Sequence, residues 1–405
     1  MLSASTTVVL AYSGGLDTTY CALYLSKILG YTVHAVTIDT GGFTAAQLTD
    51  IEARARKLGV AAFEVIHAKE QYYNRVVKYL LYGNVLKNGT YPLSVSAERV
   101  AQASLLAQYV AKVGATHVAH GSTGAGNDQI RFDMILQNLV PGIQIITPIR
   151  DQQLSRDAEI AFLKEHGVQM NFDKARYSIN QGLWGTSVGG KETLNSRQPL
   201  PEEAWPTQVT KSEPIELEII FELGNPVALN GQSYGHPAAL IEALSALAAP
   251  YGIGRDIHVG DTILGIKGRV GFEAAAPLIL IKAHHTLEKH TLGKWQLSWK
   301  DQLASFYGNW LHEGQYLDPV MRDLEAFIAS TQRTVSGSVF VRLQPYRFEV
   351  LGIESVHDLM SDKFGTYGEV NRTWTGEDVK GFIKIFGNQN AIYQQINQTT
   401  NPFNA

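Results

Sequence analysis

Cysteine is nearly absent: Cys21 is the single one in 405 residues. That excludes an intramolecular disulfide and argues against a thiolate metal site, and it fits a reducing compartment. Long apolar runs are missing as well, with nothing approaching the roughly 20 residues needed to span a bilayer. The opening stretch MLSASTTVVLAY lacks the apolar segment of a secretion signal and leads straight into a strand. A cytoplasmic protein without a membrane partner is expected. Positive charge is not in surplus either, with 34 Lys and Arg against 38 Asp and Glu. Nucleic-acid binders usually carry a basic excess, so nucleic acid is not an expected partner. An anionic substrate must be held by a local site rather than by the overall field. Internal repeats and low-complexity segments are also lacking. What remains, 45% hydrophobic and 18% charged residues, suits a globular protein, and the length calls for more than one core.

The first 170 residues alternate strand and helix. TVVLAY, YTVHAVTI, AAFEVI, THVAHG and IQIITPI read as five strands. The first helix places Leu16, Tyr20, Leu23, Tyr24 and Ile28 on one face, and Gly30 stops it. Thr44 and Gln47 have capping-box spacing ahead of a stripe of Leu48, Ile51, Ala55 and Leu58. Further helices are expected near 70–83 and 97–114. Such alternation predicts a doubly wound parallel sheet, with ligands beyond the carboxyl ends of its strands. Near residue 175 the pattern changes. PIELEIIFEL sets Ile215, Leu217, Ile219, Phe221 and Leu223 against glutamates, the alternation of a half-exposed antiparallel strand. SVFVRLQ and RFEVLGI read as later strands, and PAALIEALSALAAPYG and DPVMRDLEAFIASTQ as helices. The expected organisation is an α/β domain over 1–172, an α+β domain over 173–365 and a helical tail over 366–405. The tail, with one helix and a polar end, looks too thin to bury itself.

LAYSGGLDTTYCALYLSKILG reads as strand, glycine turn and helix, the arrangement of a phosphate loop, yet no lysine follows the glycines to reach a γ-phosphate. Gly14 and Gly15 let backbone amides turn inward, Ser13, Thr18 and Thr19 add hydroxyls, and the helix from Leu16 aims its positive end at an anion. A nest of this kind holds phosphate without lysine. It suits a departing pyrophosphate, with the α-phosphorus left open to attack. Asp17 would repel a phosphate by itself, so a bridging Mg2+ is its natural companion. A bare Gly-Gly turn with nothing bound is the other reading, and the complete AYSGGLDTT string weighs against it.

SGGLDTT resembles the loop of the N-type ATP pyrophosphatases, which cleave ATP to AMP and pyrophosphate while adenylating a carbonyl oxygen. Within that superfamily the chain resembles the argininosuccinate synthase family, through YPLSVSAER, HGSTGAGNDQIRFD and YSINQGLWGTS as well. The resemblance implies a HUP-type (adenine nucleotide α-hydrolase-like) first domain, a synthetase domain and a homotetramer. It implies ATP contacts from Ala11, Tyr12, Ser13, Gly14, Gly15, Leu16, Asp17, Thr18, Thr19, Ile38 and Gly121, with Asp17 the candidate for Mg2+. Aspartate falls to Thr123, Asn127 and Asp128, and citrulline to Tyr91, Ser96, Asn127, Arg131, Ser178 and Ser187. Arg99 is a further candidate for a bidentate pair with a substrate carboxylate. Taken singly, these residues have plainer readings: an ordinary serine cap at Ser94 or Ser96, and an i,i+3 Asp128–Arg131 pair that decorates a helix.

The chain departs from the family in two places. Ile38 stands where a small residue is usual. In HVGDTILGIKGRVGFEA, Gly260 replaces a glutamate and Phe272 a tyrosine, both of which bind citrulline in the family. Asp261 is the candidate to supply the lost carboxylate. Adjacent His284 and His285 would point to opposite faces of a strand and are read as structural, Trp184 as a packing anchor, and Cys21 as a small buried thiol.

The expected activity is an AMP-forming C–N ligase. ATP adenylates the ureido oxygen of citrulline, and the aspartate amine then displaces AMP to give argininosuccinate, with no covalent nucleophile from the protein. The alternatives are another pyrophosphatase-loop enzyme with a different ureido or amide substrate, and a nucleotide sensor that never turns ATP over. A sulfur-transferring relative is disfavoured by the lone cysteine.

Overall fold

The computed structural model describes residues 6–170, 177–369 and 373–398. Two compact units result, Met1–His357 and Asp358–Ala405. The domain boundary expected at 172/173 lies outside the described residues.

The chain opens with a parallel sheet of β1 (Thr7–Ala11), β2 (Thr32–Asp39), β3 (Ala62–His67), β4 (His117–Ala119) and β5 (Gln144–Ile146), in the order β3-β2-β1-β4-β5. Val8, Val9 and Leu10 are consecutive and fully buried, as a central parallel strand covered on both faces requires. The order reverses direction between β1 and β4, so the loops leaving these two strands diverge and open a crevice at their carboxyl ends.

The Leu16–Leu23 helix buries Leu16, Tyr20 and Leu23 as the spacing predicts. It then widens to π geometry over Tyr24–Ile28, which rotates the stripe and leaves Ile28 49% exposed instead of buried. The Thr44–Gln47 capping box forms, and Ile51, Ala55 and Leu58 are buried below it. The helix expected near 70–83 is present as short segments joined through a π turn at Tyr73–Val77.

Beyond residue 177 come the hairpin β6 (Ser178–Gly182) and β7 (Gly185–Gly189), then β8 (Ile215–Glu222), β9 (Asn225–Leu229) and β10 (Gln232–Ser233). The hairpins β11 (Arg255–Asp261) with β12 (Lys267–Glu273), and β13 (Gly337–Gln344) with β14 (Arg347–Glu354), follow. They assemble into two antiparallel sheets, β10-β9-β8-β13-β14 and β11-β12-β7-β6. Leu217, Ile219 and Phe221 point into the core as their alternation predicts. Leu223 does not: it sits in the β8–β9 turn at φ +48°, 57% exposed.

Helices Pro237–Ala248, Ala275–Thr291, Lys294–His312 and Pro319–Ser330 complete this unit. His284 and His285 lie on the second of these rather than on a strand. His284 is fully buried between Asn84 Oδ1 and Gln332 Oε1, each 2.8 Å away, a structural role as expected. Close by, Lys300 Nζ and the Glu288 carboxylate pair at 2.5 Å with both side chains wholly buried.

Among its described residues the second unit holds two α-helices, Gly376–Phe386 and Asn388–Asn397, where the sequence predicts one. Gly387 separates them, and Thr375 caps the first through Asp378. No described helix is long and apolar enough to cross a membrane.

Candidate active site

The glycine turn after β1 leads directly into the Leu16–Leu23 helix. Gly14 takes φ +72°, and a Cβ there would meet Ile51 Cγ1 at 2.9 Å, so a side chain is excluded both by backbone and by space. Its carbonyl accepts a hydrogen bond from Arg54, which clamps the turn to the neighbouring helix. The Ser13 amide donates to Thr18 Oγ1 at 3.3 Å and the Gly15 amide to Ser13 Oγ at 3.4 Å. These long bonds leave the amides easily transferred to a stronger acceptor. Gly121, from the loop after β4, packs against this turn, and a Cβ there would come within 3.1 Å of Asp17 Cβ.

Asp17 faces the Glu159 carboxyl. Burial and the Asp17 charge push Glu159 up to about 8. Burial also raises Asp17, but Glu159 is the stronger proton holder, so Asp17 remains the anion of the pair. Among the described residues no group of three or more His, Cys, Asp or Glu side chains could hold a metal. Mg2+ commonly binds through one or two carboxylates plus substrate phosphates and water, and a single ionised Asp17 beside a phosphate loop fits that mode.

The second glycine-rich loop runs from His120 to the Asp128–Leu139 helix. His120 donates from Nε2 to Asp133 at 2.8 Å, which leaves Nδ1 to accept the Ser122 amide at 3.3 Å and shape the loop. Asp128 accepts from Arg99 Nε on one oxygen and Arg131 Nη1 on the other, both at 2.9 Å. Burial alone would raise the Asp128 carboxyl, but the two guanidinium groups outweigh it and hold it below its ordinary value. Arg99 has its remaining nitrogens on Gln102 and Asn180, each 2.9 Å away. The pair with a substrate carboxylate that the sequence left open for Arg99 is therefore taken up by the protein itself. Asn127 Oδ1 accepts the Ile263 amide at 2.9 Å.

Leu93 adopts the left-handed conformation and starts the Ser94–Val113 helix with no side-chain cap, so neither Ser94 nor Ser96 is the cap. Tyr91 Oη instead accepts from Ser94 Oγ at 3.2 Å and the Val95 amide at 3.3 Å, which frees its proton to donate. Ser187 on β7 lies opposite both Asn180 and Phe272 in register. Phe272 is fully buried, with its ring 5.3 Å from that of Tyr91. Asp261 is exposed and paired with Lys267 at 2.7 Å.

These elements enclose one chamber of about 960 Å³. It is lined by Ala11, Tyr12, Ser13, Gly15, Leu16, Asp17, Thr18, Ile38 and Gly121 from the nucleotide set, and by Thr123, Asn127 and Asp128 from the aspartate set. Tyr91, Ser96, Arg131, Ser178, Ser187 and Asp261 line it as well. Gly14 and Thr19 do not. Thr19 is fully buried, because one residue along a helix turns the side chain to another face. Cys21 is likewise buried, and burial followed by the charges of Asp17 and Glu159 pushes its thiol well up, so the helix end does not activate it. Sequence reasoning missed Glu98, Arg156, Asn180, His258, Arg269 and His312, all of which line the chamber. Glu98 and Asn180 lie inside the YPLSVSAER and YSINQGLWGTS strings, His258 and Arg269 inside HVGDTILGIKGRVGFEA, and Arg156 follows the Ser155 cap, whereas His312 carried no local signal.

Residues 7–169 match the family described as arginosuccinate synthase N-terminal HUP domain, and residues 177–393 the arginosuccinate synthase C-terminal domain. Among curated relatives, the argininosuccinate synthase of Methanocaldococcus jannaschii is 36% identical over 391 residues, covering 95% of this chain and 97% of that protein. The enzyme of the same name from Xanthomonas campestris is 36% identical over 408 residues, covering 98% and 100%. That from Dictyoglomus turgidum is 36% identical over 393 residues, covering 95% and 97%. With both domain families matched in order and full-length relatives at this identity, the chain belongs to the argininosuccinate synthase family.

Proposed function

We propose that the chamber is where an ATP-dependent ligation of citrulline with aspartate takes place, through a citrullyl-adenylate. The observation that carries this is the joining, in one cavity, of a lysine-free phosphate turn with the Asp128–Arg99–Arg131 cluster. The Ser13 and Gly15 amides exchange their long hydroxyl contacts for oxygens of the departing pyrophosphate. Arg156, at the start of its helix, adds charge on the same side. Asp17 would hold Mg2+, which would supply positive charge to the phosphates. The Tyr91 proton and Ser187 orient the ureido group, whose oxygen attacks the α-phosphorus. Asp128 keeps lone pairs beyond the two used by arginine, and these receive the aspartate ammonium. Once that amine is deprotonated it displaces AMP. Alignment and charge neutralisation supply the rate, and no covalent nucleophile is required.

The 1–172, 173–365 and 366–405 organisation, a cytoplasmic setting and a homotetramer assembled through the tail belong to the same proposal. The assembly is supported by the exposed apolar side of the tail helices, including Phe382, Ile383, Phe386 and Ile396. Light scattering of full-length and 1–365 protein tests the assembly. For the chemistry, mass spectrometry of products from ATP, aspartate and a ureido compound should show AMP, pyrophosphate and an argininosuccinate-type product in equal amounts. ADP, or nucleotide binding without turnover, would overturn it.

A further inference from the structure

The wall of the chamber built by β11 and β12 has a charge pattern that a free amino-acid ammonium does not match. Among the described residues four carboxylates line the chamber, and only the exposed Asp261 stands on this wall. Asp17 belongs to the phosphate turn. Asp128 opens the Asp128–Leu139 helix, and its remaining lone pairs are assigned above to the aspartate ammonium. Glu98, on the Ser94–Val113 helix rather than on this wall, accepts from Thr40 and Gln102 on Oε1 and leaves Oε2 buried without a hydrogen-bond partner. Asp261 is paired with Lys267.

Neutral and cationic groups occupy the wall instead. His258 is 5% exposed, its ring stacks on Tyr91 at 4.9 Å, and its Nδ1 has no hydrogen-bond partner. Its Nε2 would stand 2.4 Å from a Cβ on Gly260, so the imidazole fills the space that a side chain at 260 would need. Burial, and then the nearby Lys87 charge, lower its pKa and keep it neutral. His312 accepts from Arg131 Nη2 on Nδ1, 3.3 Å away, so its proton sits on Nε2, which makes no hydrogen bond of ordinary geometry although the ring also interacts with the Asp261 backbone. Arg269 donates only to the backbone carbonyls of Glu192 and Gln198, at 3.4 and 3.3 Å. Buried polar atoms are rarely left without partners unless a ligand supplies them. The His312 donor, from the end of the Lys294–His312 helix, and a His258 nitrogen that donates or accepts according to its tautomer can match the C=O and N–H of an amide, whereas an ammonium offers donors only.

Resting on the ligation proposed above, we infer that the ureido substrate enters with its α-amine blocked as an amide: the substrate class is an Nα-acyl ureido amino acid whose amide meets His258 and His312. The chemistry is unchanged at the reacting end. The ureido oxygen bonds to the α-phosphorus as pyrophosphate leaves, the aspartate nitrogen then bonds to the ureido carbon as AMP leaves, and the amide is a spectator. The product is an Nα-acyl argininosuccinate.

The test uses the full chain with ATP, Mg2+ and aspartate, and compares free citrulline, Nα-acetylcitrulline and Nα-succinylcitrulline by pyrophosphate release and mass spectrometry. We expect kcat/KM at least tenfold higher for an acylated compound than for citrulline. Equal or better use of citrulline overturns the inference and leaves the ligation standing. No AMP and pyrophosphate from any of the three overturns both. His258→Ala should erase the acyl preference while moving the ATP KM less than threefold. His258→Asn, which retains a donor and an acceptor, should keep the preference. A uniform loss across all three compounds in both variants would refute the role of His258.

Discussion

Replacing Asp128 by alanine separates the two halves of the reaction. The carboxylate accepts two charge-assisted hydrogen bonds of 2.9 Å, from Arg99 and Arg131. Breaking a buried ion pair by removing one partner commonly costs ~3–5 kcal/mol. This carboxylate is 35% exposed to the chamber, so screening brings the expected loss down to about 2 kcal/mol. For a chain of this length that lowers the melting midpoint by only about 2–3 °C, so the variant stays folded at assay temperature. The effect on aspartate is larger. A hydrogen bond to a charged group contributes about 1.5–3 kcal/mol, which converts to a rise of roughly 10- to 150-fold in the aspartate KM. The ATP KM should change less than about threefold, since no hydrogen bond links Asp128 to the 13–18 turn. Steady-state rates with each substrate varied in turn, and a single-turnover measurement of pyrophosphate release without aspartate, read the two halves independently. Equal factors for ATP and aspartate, or an unmoved aspartate KM, would refute the assignment.

Gly14→Ala should destabilise the turn by about 1–2 kcal/mol from backbone strain alone, raise the ATP KM and leave the aspartate KM unchanged in isothermal and kinetic titrations. Lys300→Met leaves Glu288 buried without its cation and should cost ~3–5 kcal/mol in urea unfolding, most of it recovered in the Lys300→Met, Glu288→Leu double variant. Burial lowers His284 to about 4 and His312 to about 3, so both are neutral in the folded chain. The unfolded chain binds more protons below the ordinary histidine value, so stability should fall as pH drops from about 6.5 toward 4. His312→Asn should flatten part of that acid limb in thermal melts at pH 7, 6, 5 and 4.

The parallel sheet was legible because strand and helix periods alternate cleanly through residue 170, and the capping box at Thr44 marked one helix to the residue. The β11-β12-β7-β6 sheet was not. Gly182, Gly185, Gly260, Gly268 and Gly271 interrupt its alternation, and the backbone rather than side-chain pattern defines those strands. Likewise Ser13, Asp17, Thr123 and Asp128 could be picked out as local strings, because each belongs to a loop opening a helix. His312 carries no local pattern, and His258 sits inside HVGDTILGIKGRVGFEA without one of its own. They matter only because the fold brings residues 54 positions apart in the chain onto one cavity. The π turn at Tyr24–Ile28 defeated a simple helical wheel, since one extra residue per turn shifts every later side chain.

The two ligand loops leave adjacent strands: Val8–Leu10 of β1 are hydrogen-bonded in register with His117–Ala119 of β4. Sliding one loop away from the other would break the middle of the sheet, so nucleotide and amino-acid acceptor are held at a fixed separation. Any breathing that admits substrates or releases product must therefore fall to the glycine-rich hairpins opposite, which makes hydrogen-exchange protection there the natural place to look for the slow step of turnover.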